Sequence, residues 1–190
     1  MKENVLISGG SGLVGQELCI RLEEEGYNVA ILSRRENAGS FRTFLWDYEK
    51  SIFDDNAVEF ADIIIHLAGE GIANKRWTKE QKKRIVESRV KTSELLYNSI
   101  EKAVNKPNTI ISASAIGIYG FKKDDKIFEE SDAAADDFVA DTVVKWEAAV
   151  DRFQKLGLKT IKLRIGIVLS EKGGALPKMM MPIKLGIGSA

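Results

Sequence analysis

Ser8-Gly9-Gly10-Ser11-Gly12-Leu13-Val14-Gly15 lies between a short apolar run, Val5-Leu6-Ile7, and a stretch where Val14, Leu18 and Leu22 recur at helical spacing. The order strand, glycine-rich turn, helix decides the fold. Gly9, Gly12 and Gly15 stand three apart, and glycine allows both a positive φ and a close backbone approach to a pyrophosphate. Leu13, Val14 and Gly15 follow where the helix opens, and a helix start offers unpaired N–H groups and a partial positive charge to an anion. A tight turn with no ligand would use the same glycines. The placement after the first strand favours a dinucleotide.

Working outward, Gly26 is a natural C-cap for the first helix, and Val29-Ala30-Ile31-Leu32 reads as the second strand. Phe41–Trp46 is a weaker third strand, and Asp62–Leu67 a fourth whose nearly unbroken apolar run suits a strand covered on both faces. Thr78-Lys79-Glu80-Gln81 is a capping box that opens a long helix towards Val104. A strand over Thr109–Ala113, a helix over roughly Phe138–Leu156 and a strand over Thr160–Arg164 complete the alternation. Such alternation predicts an α/β protein with a doubly wound parallel sheet. Residues 1–172 make the nucleotide-binding domain on this reading. Residues 173–190 are Gly- and Met-rich and show no closing element.

The end of the second strand bears on the choice of dinucleotide. An acidic residue there would bind the ribose hydroxyls of NAD and repel a 2′-phosphate. The chain instead reads Leu32-Ser33-Arg34-Arg35, and guanidinium groups pair well with phosphate, so Ser33 and Arg34 point to NADP over NAD. Solvated loop charges are the plainer alternative for both arginines.

Composition narrows the classes. The 190 residues carry 28 Lys+Arg against 28 Asp+Glu, with 44% hydrophobic and 29% charged residues, the profile of an ordinary globular protein. Zero net charge argues against nucleic-acid binding by bulk electrostatics. Cys19 and His66 are the only residues of their kinds, which excludes disulfide frameworks and zinc ribbons, and no metal site is expected. No leader and no apolar run long enough to span a bilayer is visible, so a cytoplasmic protein with no membrane partner is the expectation.

These residues resemble the extended or atypical short-chain dehydrogenase/reductases, the NAD(P)-dependent epimerase/dehydratase group, and within it the YfcH-like epimerase subfamily. The matching stretches are SGGSGLVG (8–15), LSRR (32–35), HLAGEGIANKRWT (66–78), ESRVKTSELL (87–96), SASAIGIYG (112–120), KWEAA (145–149), RIGIVLS (164–170) and GGALPKMMMPIKLGIG (173–188). The resemblance implies that Leu67, Ala68 and Gly69 lie along the cofactor, and that residues 173–190 begin a substrate domain that is cut short. It also gives Arg89 an anionic partner. On the long helix Ile85, Arg89, Thr92, Leu96 and Ile100 share one face, and a charge on such a stripe needs compensation unless it snorkels out at the edge. His66, inside an apolar run, reads as a packed strand residue.

Catalytic residues are where the chain departs from the family. Typical members carry Tyr-x-x-x-Lys on the helix after the fifth strand, the lysine lowering the tyrosine pKa. Here those positions fall at Val139 and Val143, on an apolar stripe with Trp146, Val150 and Phe153. Tyr119 has Lys123 four residues later, but in a glycine-containing loop where that spacing does not align two side chains. Ser114, with Ser112 as fallback, is the candidate for the family's catalytic serine, and a plain strand-end hydroxyl is the competing reading. Asp141 and Lys145 suit a helix-surface pair.

The neutral total hides an asymmetry. Residues 72–91 hold eight basic and two acidic side chains, and residues 122–141 eight acidic and three basic. Both follow strands at the edge where ligands bind, and the acidic stretch would serve as loop or lid. The expected function is an NADP-binding, epimerase-like oxidoreductase acting on a small molecule, a nucleotide-sugar among the options, with a homodimer left open. The alternative is an NADP-dependent sensor or scaffold without chemistry.

Overall fold

The computed structural model describes residues 2–35, 40–72, 75–121, 125–184 and 186. The expected alternation is present. Strand β1 (Asn4–Ser8) leads through the glycine turn into helix α1 (Leu13–Glu24), followed by β2 (Asn28–Ser33) and β3 (Arg42–Asp47). Next come β4 (Ile52–Phe53), α2 (Asn56–Phe60) and β5 (Ile63–His66), and then the long helix α3 (Lys79–Lys102). Strand β6 (Thr109–Ala115), a 3-10 turn (Ile116–Tyr119), α4 (Phe138–Asp151), a second 3-10 turn (Arg152–Leu156) and β7 (Lys159–Ile165) complete the sheet.

The strand order is β4-β3-β2-β1-β5-β6-β7, parallel throughout except for β4, which pairs antiparallel with β3. The chain winds outward from β1 in one direction and then restarts at β5 in the other. That restart leaves a crevice at the carboxyl ends of β1 and β5, where open α/β sheets bind ligands.

Successive side chains of a strand face opposite sides of the sheet, and along β1, β2 and β5 both sides are covered. Val5, Ile7, Ile31 and Ile65 pack with Cys19 of α1 on one face. Leu6, Ile64 and Ile110 face Leu96 and Ile100 of α3 and Trp146, Val150 and Phe153 beyond them on the other. Ser8, His66, Ser112 and Ser114 continue this second face towards the carboxyl edge, all buried. Polar residues therefore replace apolar ones where the sheet nears the crevice.

Thr78 caps α3, its Oγ1 accepting the Gln81 N–H at 3.2 Å. The reciprocal half of the box is not made: the Thr78 N–H donates to Arg76 O at 2.9 Å instead of to the Gln81 side chain. Thr78→Ala is expected to destabilise the protein by about 1 kcal/mol, read as a shift in urea midpoint at unchanged slope. An unchanged midpoint would deny the cap its role.

Two short elements, β4 and α2, stand where the sequence gives no periodic signal. The stretch after β7 also differs from expectation: it forms a hairpin of β8 (Leu169–Ser170) and β9 (Gly173–Gly174), then helix α5 (Leu176–Lys184). Pro177 lies in the first turn of α5, where a missing N–H costs little. Pro182 lies inside the helix, which is what hid it from a sequence reading. No described helix is long and apolar enough to cross a membrane.

Candidate functional site

A cleft of about 880 Å³ opens at the switch point between β1 and β5. Gly9 and Gly12 line it from the glycine turn, Ser33, Arg34 and Arg35 from the end of β2, and Leu67, Ala68 and Gly69 from the segment after β5. The structure thus gathers most of the expected binding residues into one wall-to-wall site.

The turn is closely built. Gly12 N–H donates to Gly9 O at 2.9 Å, and Gly9 holds φ +74°. A Cβ on Gly9 would come within 2.9 Å of the Leu67 carbonyl carbon, so glycine serves both conformation and closeness there. Gly15 is buried, and a Cβ on it would sit 2.3 Å from Gly9 O. Its part is to let α1 pack onto the turn. Gly12 is the N-cap of α1 and contributes no capping side chain, and no acidic residue stands in the first turn. The first N–H groups of α1 are thereby left for an outside acceptor.

Leu13 and Val14 are placed differently from the other turn residues. Their side chains line a second groove, of about 500 Å³, together with Val168 and Ser170. Any part they take in the main cleft is through their backbone.

At the end of β2, Ser33 Oγ accepts the Arg35 N–H at 3.1 Å. This local turn leaves the single hydroxyl hydrogen of Ser33 available to an acceptor, beside two exposed guanidinium groups. Across the cleft stand Trp46 and Asp47 at the end of β3 and Tyr48 just after it, residues the sequence reading did not single out as site residues. Their signal was position alone, the carboxyl end of a parallel strand. Burial raises the Tyr48 phenol pKa, with Glu49 adding to the shift and Arg34 opposing it. The Trp46 indole is buried in the wall, edge-on to the His66 ring at 6.2 Å.

Arg89 stands behind the wall. Its Nη1 donates to Glu70 O at 3.1 Å and to Ile85 O at 2.9 Å, and its guanidinium lies 5.1 Å from the centre of the Trp146 ring. Burial lowers its pKa and the Glu70 charge opposes that. The core-facing arginine is thus compensated by carbonyls and an aromatic face. Ile85, Thr92, Leu96 and Ile100, its neighbours on the expected stripe, are buried as predicted.

Ser114 lies away from the cleft lining. Its Oγ donates to Glu147 Oε1 at 2.5 Å. Arg164 grips the same carboxylate with two bonds, Nε to Oε1 at 2.9 Å and Nη2 to Oε2 at 3.0 Å. Burial alone would raise the Glu147 pKa, but the bonds from Arg164 and Ser114 hold it down at about 2. Arg164 Nη1 also donates to the Tyr119 hydroxyl at 2.7 Å, and that hydroxyl donates to Glu129 O at 2.9 Å. Ser114 and Tyr119 are both engaged in a structural network. Ser112 Oγ is likewise spent, on Ala113 O at 2.9 Å.

The two positions of the missing dyad are apolar in fact: Val143 is buried, and Val139 approaches Gly117. Lys123 lies outside the described residues. Asp141 and Lys145 form the expected surface pair at 2.6 Å. The acidic stretch before α4 is strapped to the sheet edge, with Arg164 Nη1 on Glu130 O at 3.0 Å and Ala135 N–H on Ile118 O at 2.8 Å. Phe138 at the start of α4 meets Trp77 at 5.4 Å between ring centres, so the basic and acidic segments touch through aromatic rings. Among the described residues no group of His, Cys, Asp and Glu could hold a metal ion.

A doubly wound parallel sheet with a glycine-lined cleft at its switch point defines a Rossmann-type nucleotide-binding protein. Residues 5–144 match the model of the NAD dependent epimerase/dehydratase family. The chain belongs to that family. It is 35% identical over 183 residues to the epimerase family protein YfhF of Bacillus subtilis, which covers 95% of this chain and 60% of that protein. Among solved structures it resembles a nucleoside-diphosphate sugar epimerase from Corynebacterium glutamicum, with a TM-score of 0.82, 32% identity, and coverage of 97% of this chain and 38% of that one. The human epimerase family protein SDR39U1 (isoform 2), solved with NADPH, gives a TM-score of 0.78 at 28% identity, covering 98% of this chain and 61% of that one. The chain spans about 60% of the length of the curated relatives it matches.

Proposed function

We propose that this chain binds NADP in the cleft and is the cofactor-binding part of an epimerase-like oxidoreductase acting on a small molecule of the nucleotide-sugar kind. The observation that carries the cofactor choice is the turn Ser33-Arg34-Arg35. It offers one free hydroxyl hydrogen and two guanidinium groups where an NAD site would hold a carboxylate. Charge-assisted bonds from arginine to a 2′-phosphate are about twice as strong as neutral ones. Gly9 and Gly12 admit the pyrophosphate against the bare start of α1, and Leu67, Ala68 and Gly69 give a flat ring close approach. When bound, the dinucleotide supplies hydride transfer. The chain's own residues bind and orient it. Residues 1–172 form this cofactor domain, and 173–190 lead into a substrate domain.

Calorimetric titration tests the reading. The protein is expected to bind NADPH at least about tenfold more tightly than NADH, a difference of about 1.4 kcal/mol. Arg34→Asp is expected to reverse the order, because a carboxylate repels the 2′-phosphate and accepts ribose hydroxyls. Failure to bind either dinucleotide sinks the proposal, and an unchanged preference in Arg34→Asp sinks the assigned contact.

A second reading, a cofactor-dependent sensor without chemistry, draws on the commitment of Ser114 to Glu147 and on the valines at 139 and 143. Stopped-flow oxidation of bound NADPH against carbonyl compounds and sugar nucleotides separates the two.

A further inference from the structure

We propose that His66 is a positioning residue for the cleft, a neutral imidazole protonated on Nε2 that ties together the two anchors of the wall Leu67–Glu70. The proposal rests on the reading of the cleft as a dinucleotide site. The start of this wall hangs on Ser8: its Oγ accepts the N–H groups of Leu67 at 3.1 Å and Ala68 at 3.3 Å, and its carbonyl oxygen shares the Leu67 N–H at 3.0 Å. Its end hangs on α3. Ser88 Oγ accepts the Glu70 N–H at 2.9 Å, and Arg89 Nη1 donates to Glu70 O at 3.1 Å. His66 bonds to both sides: Nδ1 lies 2.6 Å from Ser8 Oγ, and Nε2 lies 3.1 Å from Ser93 Oγ, one turn along α3 from Arg89.

Counting hydrogens assigns the direction of every bond. A serine hydroxyl has one hydrogen and two acceptor sites. Both acceptor sites of Ser8 take backbone N–H groups, so its hydrogen goes to His66 Nδ1, which must be bare. The imidazole hydrogen is then on Nε2 and is donated to Ser93 Oγ. Ser93 in turn donates to Arg89 O at 2.8 Å. Thr92 Oγ1, 3.4 Å from Nε2, spends its own hydrogen on the Ser88 and Arg89 carbonyls and can only accept from the ring. The relay runs in one direction, from β1 through β5 to α3.

The geometry is set by the sheet rather than by a loop, since Ser8 and His66 are register partners on β1 and β5. The ring is wholly buried, and burial lowers its pKa to about 4, so it is neutral near pH 7. A hydrogen on Nδ1 would compete with Leu67 and Ala68 for Ser8 Oγ; the Leu67 N–H keeps the Ser8 carbonyl, so the Ala68 amide is the one released.

Two measurements on the full chain test this. Nitrogen-15 NMR of the imidazole at neutral pH is expected to show hydrogen on Nε2 and a bare, hydrogen-bonded Nδ1; an Nδ1–H tautomer overturns the assignment. In NADPH titrations His66→Leu is expected to lose about tenfold or more in affinity, the worth of one or two hydrogen bonds. His66→Asn, whose Oδ1 can take the Ser8 hydrogen in place of Nδ1, is expected to stay within about threefold of wild type. Equal affinity in wild type and the leucine variant, or equal loss in both variants, overturns the role. If the leucine variant does not fold, Ser93→Ala removes the nearer Nε2 partner together with its bond to Arg89 O and is expected to weaken binding about threefold, and no change there is equally decisive. A wild type that binds no dinucleotide refutes the cleft's reading, whereas a binding wild type with unaffected variants refutes only the part given to His66.

Discussion

Truncating Glu147 to alanine is expected to lower the unfolding free energy by about 3 to 5 kcal/mol in urea denaturation at neutral pH. The carboxylate comes from α4 and meets Ser114 and Arg164, which are register partners on β6 and β7. Removing it leaves the Arg164 side chain, 19% exposed, without the acceptor that fills two of its donors. A lone charge in such a place costs far more than the pair contributes. The paired change Glu147→Leu with Arg164→Met is accordingly expected to be close to neutral, and a double variant as unstable as Glu147→Ala would contradict this account.

The same carboxyl group shapes acid stability. Its pKa is about 2 in the folded protein against an ordinary 4.5, so between those values the unfolded chain holds more protons. Its stabilisation is complete above pH 4.5 and is lost as pH falls towards 2, about 3 kcal/mol in all. Glu147→Ala should lack this part of the acid limb. A variant whose stability falls as steeply as wild type over that range would place the titrating group elsewhere.

The second large effect is expected at Gly15. Gly15→Val puts a branched side chain where a Cβ alone would lie 2.3 Å from Gly9 O and 2.7 Å from Gly10 Cα. Both obstacles are backbone atoms, so α1 must lift off the turn. The strain is expected to cost about 3 kcal/mol of stability, the upper end for overpacking. On the reading of the cleft as a dinucleotide site, loss of even one charge-assisted bond from the displaced N–H groups is expected to weaken binding about tenfold to a hundredfold. Thermal unfolding and calorimetry on the same variant read both effects, and wild-type values in either would show that the turn tolerates side-chain volume.

What the sequence disclosed, and what it withheld, follows from the range of the interactions. The glycine turn, the Thr78 cap and the buried stripe Ile85, Thr92, Leu96, Ile100 are local patterns, and each is found as read. The sheet followed from the alternation of such patterns. Strand β4 and helix α2, two and five residues long, are too short to show a period, and α5 was masked by Pro182. The partners of Ser114 were out of reach for another reason. Glu147 is 33 residues away, and only the placing of β6, α4 and β7 side by side brings that charge to it. His66 was read as packed, which it is. Its hydrogen bonds to Ser8 and Ser93, 58 and 27 residues distant, depend on strand register and helix docking together.

The indole of Trp46 has a practical consequence. Of the three tryptophans, it is the one that lines the cleft, and its other side meets the His66 ring. Its emission overlaps the absorption of a reduced nicotinamide, so energy transfer to a bound dinucleotide would dim the protein and light the ligand. Trp77 and Trp146, outside the cleft lining, are near enough in a domain of this size to add to the transfer. On the dinucleotide reading the fold would carry its own optical gauge of occupancy, and Trp46→Phe would measure the share of the signal that Trp46 supplies.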